Sequence, residues 1–416
     1  MSYFAGMKFL QYSVFFLLLC LGWSAIAVML ALYGWWMSPV VARGDDQAFY
    51  QWASETLRTE NRGSAAMVVL KQGRVFAEHY QPQATINNAT LFPSASFSKL
   101  ITALGIMRLH EQGQIDLDAP ASRYLENWQL PASEFDHDKV TVRRLLSHTA
   151  GLTDGLGFGD YSADEVVPDT VATLRDPRAS SGDKVIEVGI EPGSEYRYSG
   201  GGYLILQLLI EDVTGGSFAD YIAHTILKPV GMQHSTYAYI ADQDNATASF
   251  NSDGSVAPSY QYASPAATGF NTSAGDLTRL AQALVAEDEG TFSRDMLARM
   301  REPHGYVMGA AIWGLGTMLY APSPGGDHVF GHDGGNEPAL NSTLRINPDN
   351  ADAIVVLVSG HPSLATKIGS EWVLWQTGYP DFLSTSRALT SAVLPIGVGV
   401  LVLLLLVLAI ARRRSR

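Results

Sequence analysis

A serine and a lysine lie three residues apart at Ser96 and Lys99, directly before a long apolar stretch. Residues three apart on a helix are neighbours on one face, so the hydroxyl and the amine are predicted to meet. A serine becomes a nucleophile when an adjacent base removes its proton. A lysine acts as that base where burial and a positive neighbourhood favour its neutral form, and a helix N-terminus supplies positive potential. The pair therefore predicts an activated serine.

The stretch after Lys99 predicts the element that holds this pair. Pro93 fixes the chain ahead of it, and serines near its start are able to cap the free N–H groups of a helix. Apolar residues then cover nearly the whole circumference, which is typical of a buried helix. They are Leu100, Ile101, Ala103, Leu104, Ile106, Met107 and Leu109.

The Ser-x-x-Lys pattern alone is a weak signal, because the chain contains it twice. The second copy, Ser181 to Lys184, has Gly182 and Asp183 between its two ends and no apolar helix behind it, which indicates a solvated loop. A helix cap beside a surface lysine is therefore an alternative for Ser96 and Lys99, and other parts of the chain must decide.

Composition excludes several classes of function. The chain has 416 residues, with 41 acidic against 28 basic side chains and a formal charge of −13. Nucleic-acid binding requires clustered Lys and Arg, which occur only in the C-terminal tail, so no nucleic-acid partner is predicted. The single cysteine, Cys20, lies in the first apolar run and rules out an intrachain disulfide.

The first apolar run predicts a transmembrane anchor. No charged residue occurs between Lys8 and Arg43, and the core from Val14 to Met37 is long enough to cross a bilayer. Aromatic residues at its far end suit the membrane interface. A cleaved signal peptide, with a cleavage site at Val40-Val41-Ala42, is the alternative, but the run is much longer than an ordinary signal sequence.

A second apolar run, Ala392 to Ile410, precedes the basic tail Ala411 to Arg416. Positive residues mark the cytoplasmic side of a span, so both termini are predicted to lie inside and the domain between the spans outside. The predicted layout is a cytoplasmic N-terminus at 1–8, spans at 9–37 and 392–410, an outer domain at 45–385, and a cytoplasmic tail at 411–416.

The outer domain shows the pattern of an α+β fold. Ala65 to Tyr80 predicts a hairpin with a turn at Gly73. Helices are predicted at Val140 to Leu146, Tyr203 to Ile210, Ser217 to Val230 and Asp276 to Val285, and strands at Trp313 to Leu319, Asn341 to Ile346 and Ala353 to Ser359. Early and late strands around a helical middle indicate one sheet shared by the two ends of the domain. The long segment from Thr153 to Pro192 predicts a lid or binding loop.

Four short motifs occur in the order and spacing of a known group of enzymes. They are Ser96-Phe97-Ser98-Lys99, Leu145-Leu146-Ser147-His148-Thr149-Ala150-Gly151-Leu152, Tyr198-Ser199-Gly200 after Pro192-Gly193, and His332-Asp333-Gly334-Gly335. Over most of residues 60 to 360 they resemble the serine β-lactamase and penicillin-binding-protein superfamily, in its class C β-lactamase, D-alanyl-D-alanine carboxypeptidase and family VIII esterase branch. The resemblance implies a β-lactamase/transpeptidase-like antiparallel sheet flanked by helices, with a helical subdomain.

The resemblance also implies catalytic roles. Ser96 matches the acylated nucleophile, and Lys99 matches its proton partner. Tyr198 matches the tyrosine that shuttles a proton between the nucleophile and the leaving group. His148 belongs to a turn motif and is interpreted as structural rather than catalytic.

The last motif implies substrate-binding roles and carries one of two departures from the family pattern. The N–H groups of Ser96 and Gly335 would form the oxyanion hole, and Gly334 and Gly335 would let the backbone approach a substrate. His332 replaces the usual lysine and would donate a hydrogen bond to a substrate carboxylate or to the tyrosine. Gly200 replaces the usual asparagine, and both changes favour an esterase or D-amino-acid peptidase over a β-lactamase.

The sequence therefore predicts a membrane-anchored serine hydrolase that cleaves an amide or ester through an acyl-enzyme. The substrate would be a D-amino-acid peptide, a cell-wall peptide or a carboxylic ester; no cofactor or metal is implied, and the oligomeric state stays open. The absence of G-x-S-x-G and H-E-x-x-H patterns disfavours an α/β-hydrolase and a zinc peptidase. The alternatives are a β-lactamase, or a catalytically silent domain that binds cell-wall peptides. The predicted location is a bacterial inner membrane, with the domain on its outer face.

Overall fold

An eight-stranded antiparallel sheet forms the centre of the domain. The computed structural model of the chain describes residues 2–155, 160–178, 185–241, 243–286 and 291–414. The strands are β1 Ala65–Lys71, β2 Arg74–Gln81, β3 Leu91–Pro93, β4 Asp160–Tyr161, β5 Ser249–Phe250, β6 Val256–Ala257, β7 Gln261–Tyr262, β8 Asn271–Ser273, β9 Gly305–Val307, β10 Ala310–Trp313, β11 Met318–Pro322, β12 His328–Asn336, β13 Leu340–Asn347 and β14 Asp352–Ser359. The large sheet has the order β2-β1-β14-β13-β12-β11-β10-β9, while β3 pairs with β8, β4 with β7 and β5 with β6.

Helices cover both faces of this sheet. They are α1 Ser2–Leu32, α2 Asp46–Glu60, α3 Ser98–Glu111, α4 Val142–Leu146, α5 Thr170–Arg175, α6 Gly200–Thr214, α7 Phe218–Ile222, α8 Lys228–Val230, α9 Ala274–Val285, α10 Arg294–Arg301, α11 Leu364–Thr377, α12 Thr385–Ser391 and α13 Val393–Arg414. Successive strand residues point to opposite faces, so Val68 packs with α3, α6 and α9 while Val69 packs with α2 and α11. Burial on both faces explains why β1 and β14 are apolar throughout.

The predicted sharing of one sheet by the two ends of the domain is confirmed. Strand β1 pairs with β14 along its length, from Ala65 opposite Val358 to Leu70 opposite Ala353. The predicted hairpin and helices are also present, and Ser273 caps α9 by accepting a hydrogen bond from the Asp276 N–H at 3.2 Å. These elements follow from local patterns, which the tertiary structure keeps.

The predicted strand from Trp313 to Leu319 is wrong. The segment is a turn between β10 and β11, closed by a hydrogen bond from the Gly314 N–H to the Thr317 carbonyl at 2.9 Å. Gly316 has a φ of +75°, and a Cβ there would lie 2.1 Å from the Cβ of Ala103 in α3. Only glycine allows this turn, so the apolar run is divided between two strands.

The long segment from 153 to 192 contains more regular structure than predicted. Strand β4 and helix α5 lie within it, and Asp169 caps α5 by accepting a hydrogen bond from the Ala172 N–H at 2.7 Å. The second Ser-x-x-Lys copy lies outside the described residues. The prediction of a lid or binding loop for this segment stays a prediction.

The two apolar helices α1 and α13 are long and apolar enough to cross a membrane. They pack on each other, with the indole N–H of Trp23 donating to the Pro395 carbonyl at 3.0 Å. A Cβ on Gly399 would lie 1.9 Å from that indole nitrogen, so glycine is what admits the ring. Helix α1 ends at Leu32, five residues before the predicted end of the first span at 37.

Candidate active site

The proposed nucleophile lies on a tight turn between β3 and α3. Ser96 is the middle residue of the 3-10 turn Ala95–Phe97, and Ala95 before it has a φ of +49°. Left-handed backbone at a residue other than glycine is strained and clusters at functional sites. Ser96 is partly exposed, whereas its neighbours Ala95 and Phe97 are buried. The turn therefore presents one hydroxyl at the surface of a buried helix N-terminus.

The predicted serine caps of α3 are wrong. Ser94 Oγ donates to the Phe270 carbonyl at 2.6 Å, and Ser98 Oγ donates to the Ala95 carbonyl at 2.8 Å. Both hydroxyls stabilise the turn and its contact with the chain before β8 rather than the free N–H groups of the helix. The turn that carries Ser96 is thus fixed by hydrogen bonds on both sides.

Lys99 is buried directly beneath the nucleophile. Its side chain places Nζ 3.4 Å from Ser96 Oγ and 2.8 Å from the Ala267 carbonyl. The same amine lies 4.9 Å from the ring centroid of Tyr198 and 5.6 Å from that of Tyr203. Both hydrogen-bond partners are neutral oxygens and both ring neighbours are aromatic. The structure brings Ser96, Lys99 and Tyr198 together, as the motifs predict.

A histidine contacts the ring of Tyr198, and an aspartate binds the residues that follow it. His148 packs against the tyrosine ring with 4.4 Å between centroids, and its Nδ1 accepts a hydrogen bond from the Ser199 N–H at 3.1 Å. Asp154 accepts hydrogen bonds from Ser199 Oγ at 2.6 Å and from the Gly201 N–H at 2.9 Å. These contacts fix the chain on the C-terminal side of Tyr198. The interpretation of His148 as structural therefore means that it positions Tyr198 and Ser199.

Asp154 is the residue of this site that sequence reasoning missed. It is fully buried, and burial raises the pKa of its carboxyl group although the Ser199 hydroxyl acts in the opposite direction. Its partner Ser199 lies 45 residues away, so only the fold joins them. The sole sequence signal is that Asp154 closely follows the motif ending at Leu152.

His332 is buried on β12 and its ring is oriented by the chain itself. Nδ1 lies 2.5 Å from the Asp333 carbonyl, and because a carbonyl only accepts, Nδ1 carries the proton. Burial, aided by the charge of Lys99, lowers the pKa of His332 to about 3, so the ring is neutral and Nε2 offers a lone pair. Nε2 has no hydrogen-bond partner among the described residues. In this structure the second ring nitrogen, Nε2, is thus an acceptor, whereas the sequence predicted that His332 donates a hydrogen bond.

The glycines after His332 let β12 lie against the nucleophile turn. A Cβ on Gly334 would lie 2.0 Å from the Ser94 carbonyl oxygen, so this position tolerates glycine alone. Gly335 is exposed beside it. Strand β11 pairs with β12 only from His328 to Gly331, which leaves the later part of β12 free on that edge. The free edge, with the proposed oxyanion donor Gly335, borders the serine.

Asp333, the second residue of the motif that begins at His332, binds side chains of other strands of the sheet. The Asp333 carboxylate accepts hydrogen bonds from Tyr320 Oη at 2.7 Å and Arg345 Nη2 at 2.8 Å. Arg345 is fully buried and also pairs with Asp381, just ahead of the segment that leads to α13. We call Asp333, Arg345 and Asp381 the buried ion cluster. It holds β12 from the face opposite the nucleophile turn.

No metal centre is found among the described residues, where no group of three or more His, Cys, Asp or Glu side chains is suitably placed. His328 and His332 share a strand but gain no third ligand there.

Two buried histidines predict that stability falls in acid. Burial lowers the pKa of both His148 and His332, so the folded chain resists protonation that the unfolded chain accepts below about pH 6.5. The free energy of unfolding should therefore fall as the pH drops from about 6.5 towards 3, by up to about 1.4 kcal/mol per pH unit for each histidine. Urea unfolding at several pH values measures this slope, and His332→Gln should reduce it.

Val256→Gln, at an exposed position without an ionisable side chain, supplies the control and should leave the pH dependence of unfolding as it is in the wild type. An unchanged slope in His332→Gln would contradict the neutral buried state of that ring.

Comparison with known proteins shows the family to which this chain belongs. The family model for beta-lactamase matches residues 49–377. Protein flp of Staphylococcus aureus (strain MW2) is 29% identical over 180 residues, which cover 42% of this chain and 34% of that protein. Penicillin-binding protein 4* of Bacillus subtilis (strain 168) is 28% identical over 218 residues, covering 46% of this chain and 45% of that protein. The matched region is thus less than half the length of either relative.

Solved structures share the fold at low identity. The octameric penicillin-binding protein homologue from Pyrococcus abyssi has a TM-score of 0.65 at 22% identity and covers 81% of this chain and 78% of its own. A D-stereospecific amidohydrolase from Streptomyces sp. has a TM-score of 0.61 at 20% identity, covering 78% and 98%. A beta-lactamase/D-alanine carboxypeptidase from Pseudomonas syringae has a TM-score of 0.62 at 15% identity, covering 78% and 97%. With its α+β, beta-lactamase/transpeptidase-like fold and a family match over most of its length, the chain belongs to the beta-lactamase family of serine hydrolases.

Proposed function

We propose that this serine hydrolase cleaves an amide or ester bond through an acyl-enzyme on Ser96, and that it does so while anchored to a membrane. The observation that carries the proposal is the 3.4 Å separation of Ser96 Oγ and Lys99 Nζ, with the Tyr198 ring beside the amine. A nucleophile within reach of a base, and a second proton carrier next to both, is the arrangement that acyl transfer requires.

The reaction divides into two proton-balanced steps. As Ser96 Oγ attacks the carbonyl carbon, its proton passes to the amine of Lys99 in its uncharged form, and the N–H groups of Ser96 and Gly335 stabilise the oxyanion. Tyr198 gives a proton to the leaving group as the bond to it breaks, and recovers one from Lys99. Water then attacks the ester on Ser96 by the same route and releases the acid.

The state of His332 favours a substrate without a carboxylate beside the scissile bond. The neutral ring donates its one N–H to the Asp333 carbonyl. It therefore offers neither a positive charge nor a free N–H to a substrate carboxylate. The Asp333 carboxylate is held by Arg345 and Tyr320 and adds no donor. An anionic group placed beside His332 would lose hydration without gaining a hydrogen bond from this ring or from the Asp333 carboxylate. This argues for amides, capped D-amino-acid peptides or esters ahead of β-lactams.

The test combines covalent probes with a matched substrate pair. A fluorophosphonate should label the wild-type protein, and mass spectrometry should place the label on the peptide containing Ser96, with fluorescent penicillin labelling more slowly. N-acetyl-D-Ala-D-Ala amide should be cleaved at least about tenfold faster than the free acid, since an unpaired carboxylate costs more than about 1.4 kcal/mol.

Other outcomes separate the alternatives. Rapid penicillin labelling with faster cleavage of the free acid would support a β-lactamase or carboxypeptidase. A folded protein that no probe labels would favour a silent domain that binds cell-wall peptides, an alternative that draws on Gly200 in place of the family asparagine.

The membrane arrangement is a separate part of the proposal. We place a cytoplasmic N-terminus at 1–8, spans at 9–37 and 392–410, the hydrolase domain at 45–385 on the outer face, and a cytoplasmic basic tail at 411–416. Two apolar helices of sufficient length and the arginines after the second one support it.

Alkaline carbonate should leave the protein in the membrane pellet, and external protease should degrade the domain but not a tag on either terminus. Release of the protein by carbonate would contradict this arrangement. A domain that resists the external protease while the terminal tags are digested would contradict it as well.

A further inference from the structure

The hairpin of β9 and β10 exposes apolar side chains at its tip. Val307 pairs with Ala310, so only Met308 and Gly309 lie between the two strands. Met308 is 97% exposed, and Tyr306 and Val307 before it are 52% and 46% exposed. Neither strand nor the turn between them contains a charged residue. Three consecutive exposed apolar residues are uncommon on a surface that meets only water, unless they have a function.

The residue at the tip is also an unfavourable choice for its backbone conformation. Met308 has a φ of +50° and Gly309 a φ of +82°, the pattern of a two-residue hairpin turn in which Asn, Asp or Gly is the usual first residue. A methionine strains this left-handed position more than those residues do. Because strained positions are kept where they serve a function, the Met308 side chain is expected to contact something outside the chain.

The two apolar helices join the domain beside the C-terminal end of α11. Arg43, shortly after α1, donates from Nη2 to the Gln376 carbonyl at 2.8 Å, and α12 and α13 follow α11 directly in the chain. The Gln376 side chain donates to Asp352 at 3.1 Å and accepts a hydrogen bond from Asn347 at 3.2 Å. These last two residues flank the turn between β13 and β14. Both apolar helices are therefore attached next to that turn.

The apolar tip lies at the same end of the sheet as this attachment. From β9 to β14 the neighbouring strands are consecutive and antiparallel, so their turns alternate between the two ends of the sheet. The β9–β10, β11–β12 and β13–β14 turns thus share one end, which we call the span end. Neighbouring strands lie about 4.8 Å apart, so the tip is roughly 19 Å across the sheet from β13.

A lipid bilayer is the partner that fits so small a patch at this place. A stable interface between proteins buries about 1,200–2,000 Å², far more than three side chains supply. A bilayer contact needs no such area, because the spans already hold the domain beside the membrane at a high effective concentration. Tyr306 suits the polar boundary of a membrane, and Val307 and Met308 suit the start of its acyl region.

We propose that the hairpin tip formed by Tyr306, Val307 and Met308 inserts into the outer interface of the bilayer that holds the two spans. The proposal rests on the membrane arrangement proposed above and adds a third point of contact to it. The contact holds the span end of the sheet towards the bilayer. The motif from His332 to Gly335 lies towards the other end of β12, so the contact directs the active site away from the lipid.

The test places one fluorophore at the tip of the full-length protein in phosphatidylcholine liposomes. Cys20 is the only cysteine, so Met308→Cys combined with Cys20→Ser gives a single site for labelling with the fluorophore NBD. Brominated phosphatidylcholine should quench about half or more of its fluorescence, because interfacial groups lie within about 5–10 Å of the acyl boundary. Adding Val307→Asp should abolish the quenching, since a carboxylate resists transfer out of water.

Val256→Cys in the same Cys20→Ser protein supplies the matched control. Val256 is 72% exposed and pairs with Phe250, whose N–H donates at 3.0 Å to the hydroxyl of Ser359, the last residue of β14. This exposed valine therefore lies at the end of the sheet opposite the span end. Its label should keep its fluorescence in brominated lipid.

The possible outcomes separate this contact from the membrane arrangement. Carbonate-resistant protein whose Met308 label is not quenched, or whose two labels are quenched equally, overturns the contact and leaves the two spans intact. Release of the protein by carbonate overturns both proposals. A Met308 label that ignores bromine but changes its fluorescence when each nanodisc holds a single chain would assign the tip to a second copy and overturn the bilayer contact.

Discussion

Ser96→Ala is expected to lower kcat/KM for an ester substrate by about 10⁴-fold or more, the scale on which removal of a catalytic serine acts. The side chain lies 3.4 Å from Lys99 Nζ on a turn that exposes it alone, so no neighbouring hydroxyl is able to replace it. Ser94 and Ser98 are the nearest serines in the chain, but both are buried and donate to backbone carbonyls. Steady-state kinetics with p-nitrophenyl acetate measures the loss.

The chain offers a matched control for this prediction. Ser181→Ala removes the serine of the second Ser-x-x-Lys copy and should keep wild-type kcat/KM. Circular dichroism should show the same helix and strand content in both variants. Full activity in Ser96→Ala, or equal losses in the two variants, would contradict the assignment of Ser96 as the nucleophile.

The parts of this site that sequence could predict are those that local patterns encode. Ser96 and Lys99 meet because three residues separate them at the start of a helix, and the buried helix itself was visible in its apolar circumference. The sharing of one sheet by β1 and β14 followed from the order of strands and helices. Resemblance of short motifs then supplied Tyr198 and His332, whose positions no periodicity could connect.

The parts that could not be predicted depend on residues far apart in sequence or on hydrogen-bond geometry. Asp154 reaches Ser199 across 45 residues, and no local pattern points from one to the other. The sequence predicts that His332 donates a hydrogen bond to the substrate or the tyrosine. No sequence pattern reveals that the Asp333 carbonyl, one residue away, accepts the hydrogen bond from Nδ1–H. The sequence predicts a strand from Trp313 onward, because apolar composition does not reveal that the turn at Gly316 needs a positive φ.

The buried ion cluster gives the second large effect. Arg345→Leu is expected to lower the free energy of unfolding by about 3–5 kcal/mol, because it leaves the carboxylates of Asp333 and Asp381 buried without their cation. Although burial alone raises the pKa of Asp333, the Arg345 guanidinium and the Thr343 and Tyr320 hydroxyls hold it below its usual value, so the carboxylate is charged in the folded chain. Urea unfolding near neutral pH measures the loss.

A surface pair serves as the control for this effect. Arg143 donates to Asp118 through two nitrogens at 2.7 and 2.8 Å, but the aspartate side chain is 67% exposed. Arg143→Leu should therefore cost no more than about 1 kcal/mol, since water solvates the remaining carboxylate. Similar losses in the two arginine variants would show that size or apolar contact, rather than the buried charges, explains the result.

The cause of the instability can be isolated by removing the charges that Arg345 neutralises. In a triple variant, Asp333→Asn and Asp381→Asn accompany Arg345→Leu, so no net charge is left behind in the cluster. If unpaired carboxylates cause the loss, the triple variant should be more stable than Arg345→Leu alone, although it has lost more hydrogen bonds. Asp333 lies between His332 and Gly334. The activity of the triple variant should therefore stay below that of the wild type even where its stability recovers. A triple variant less stable than the single one would show that the cluster stabilises β12 through its hydrogen bonds rather than through charge balance.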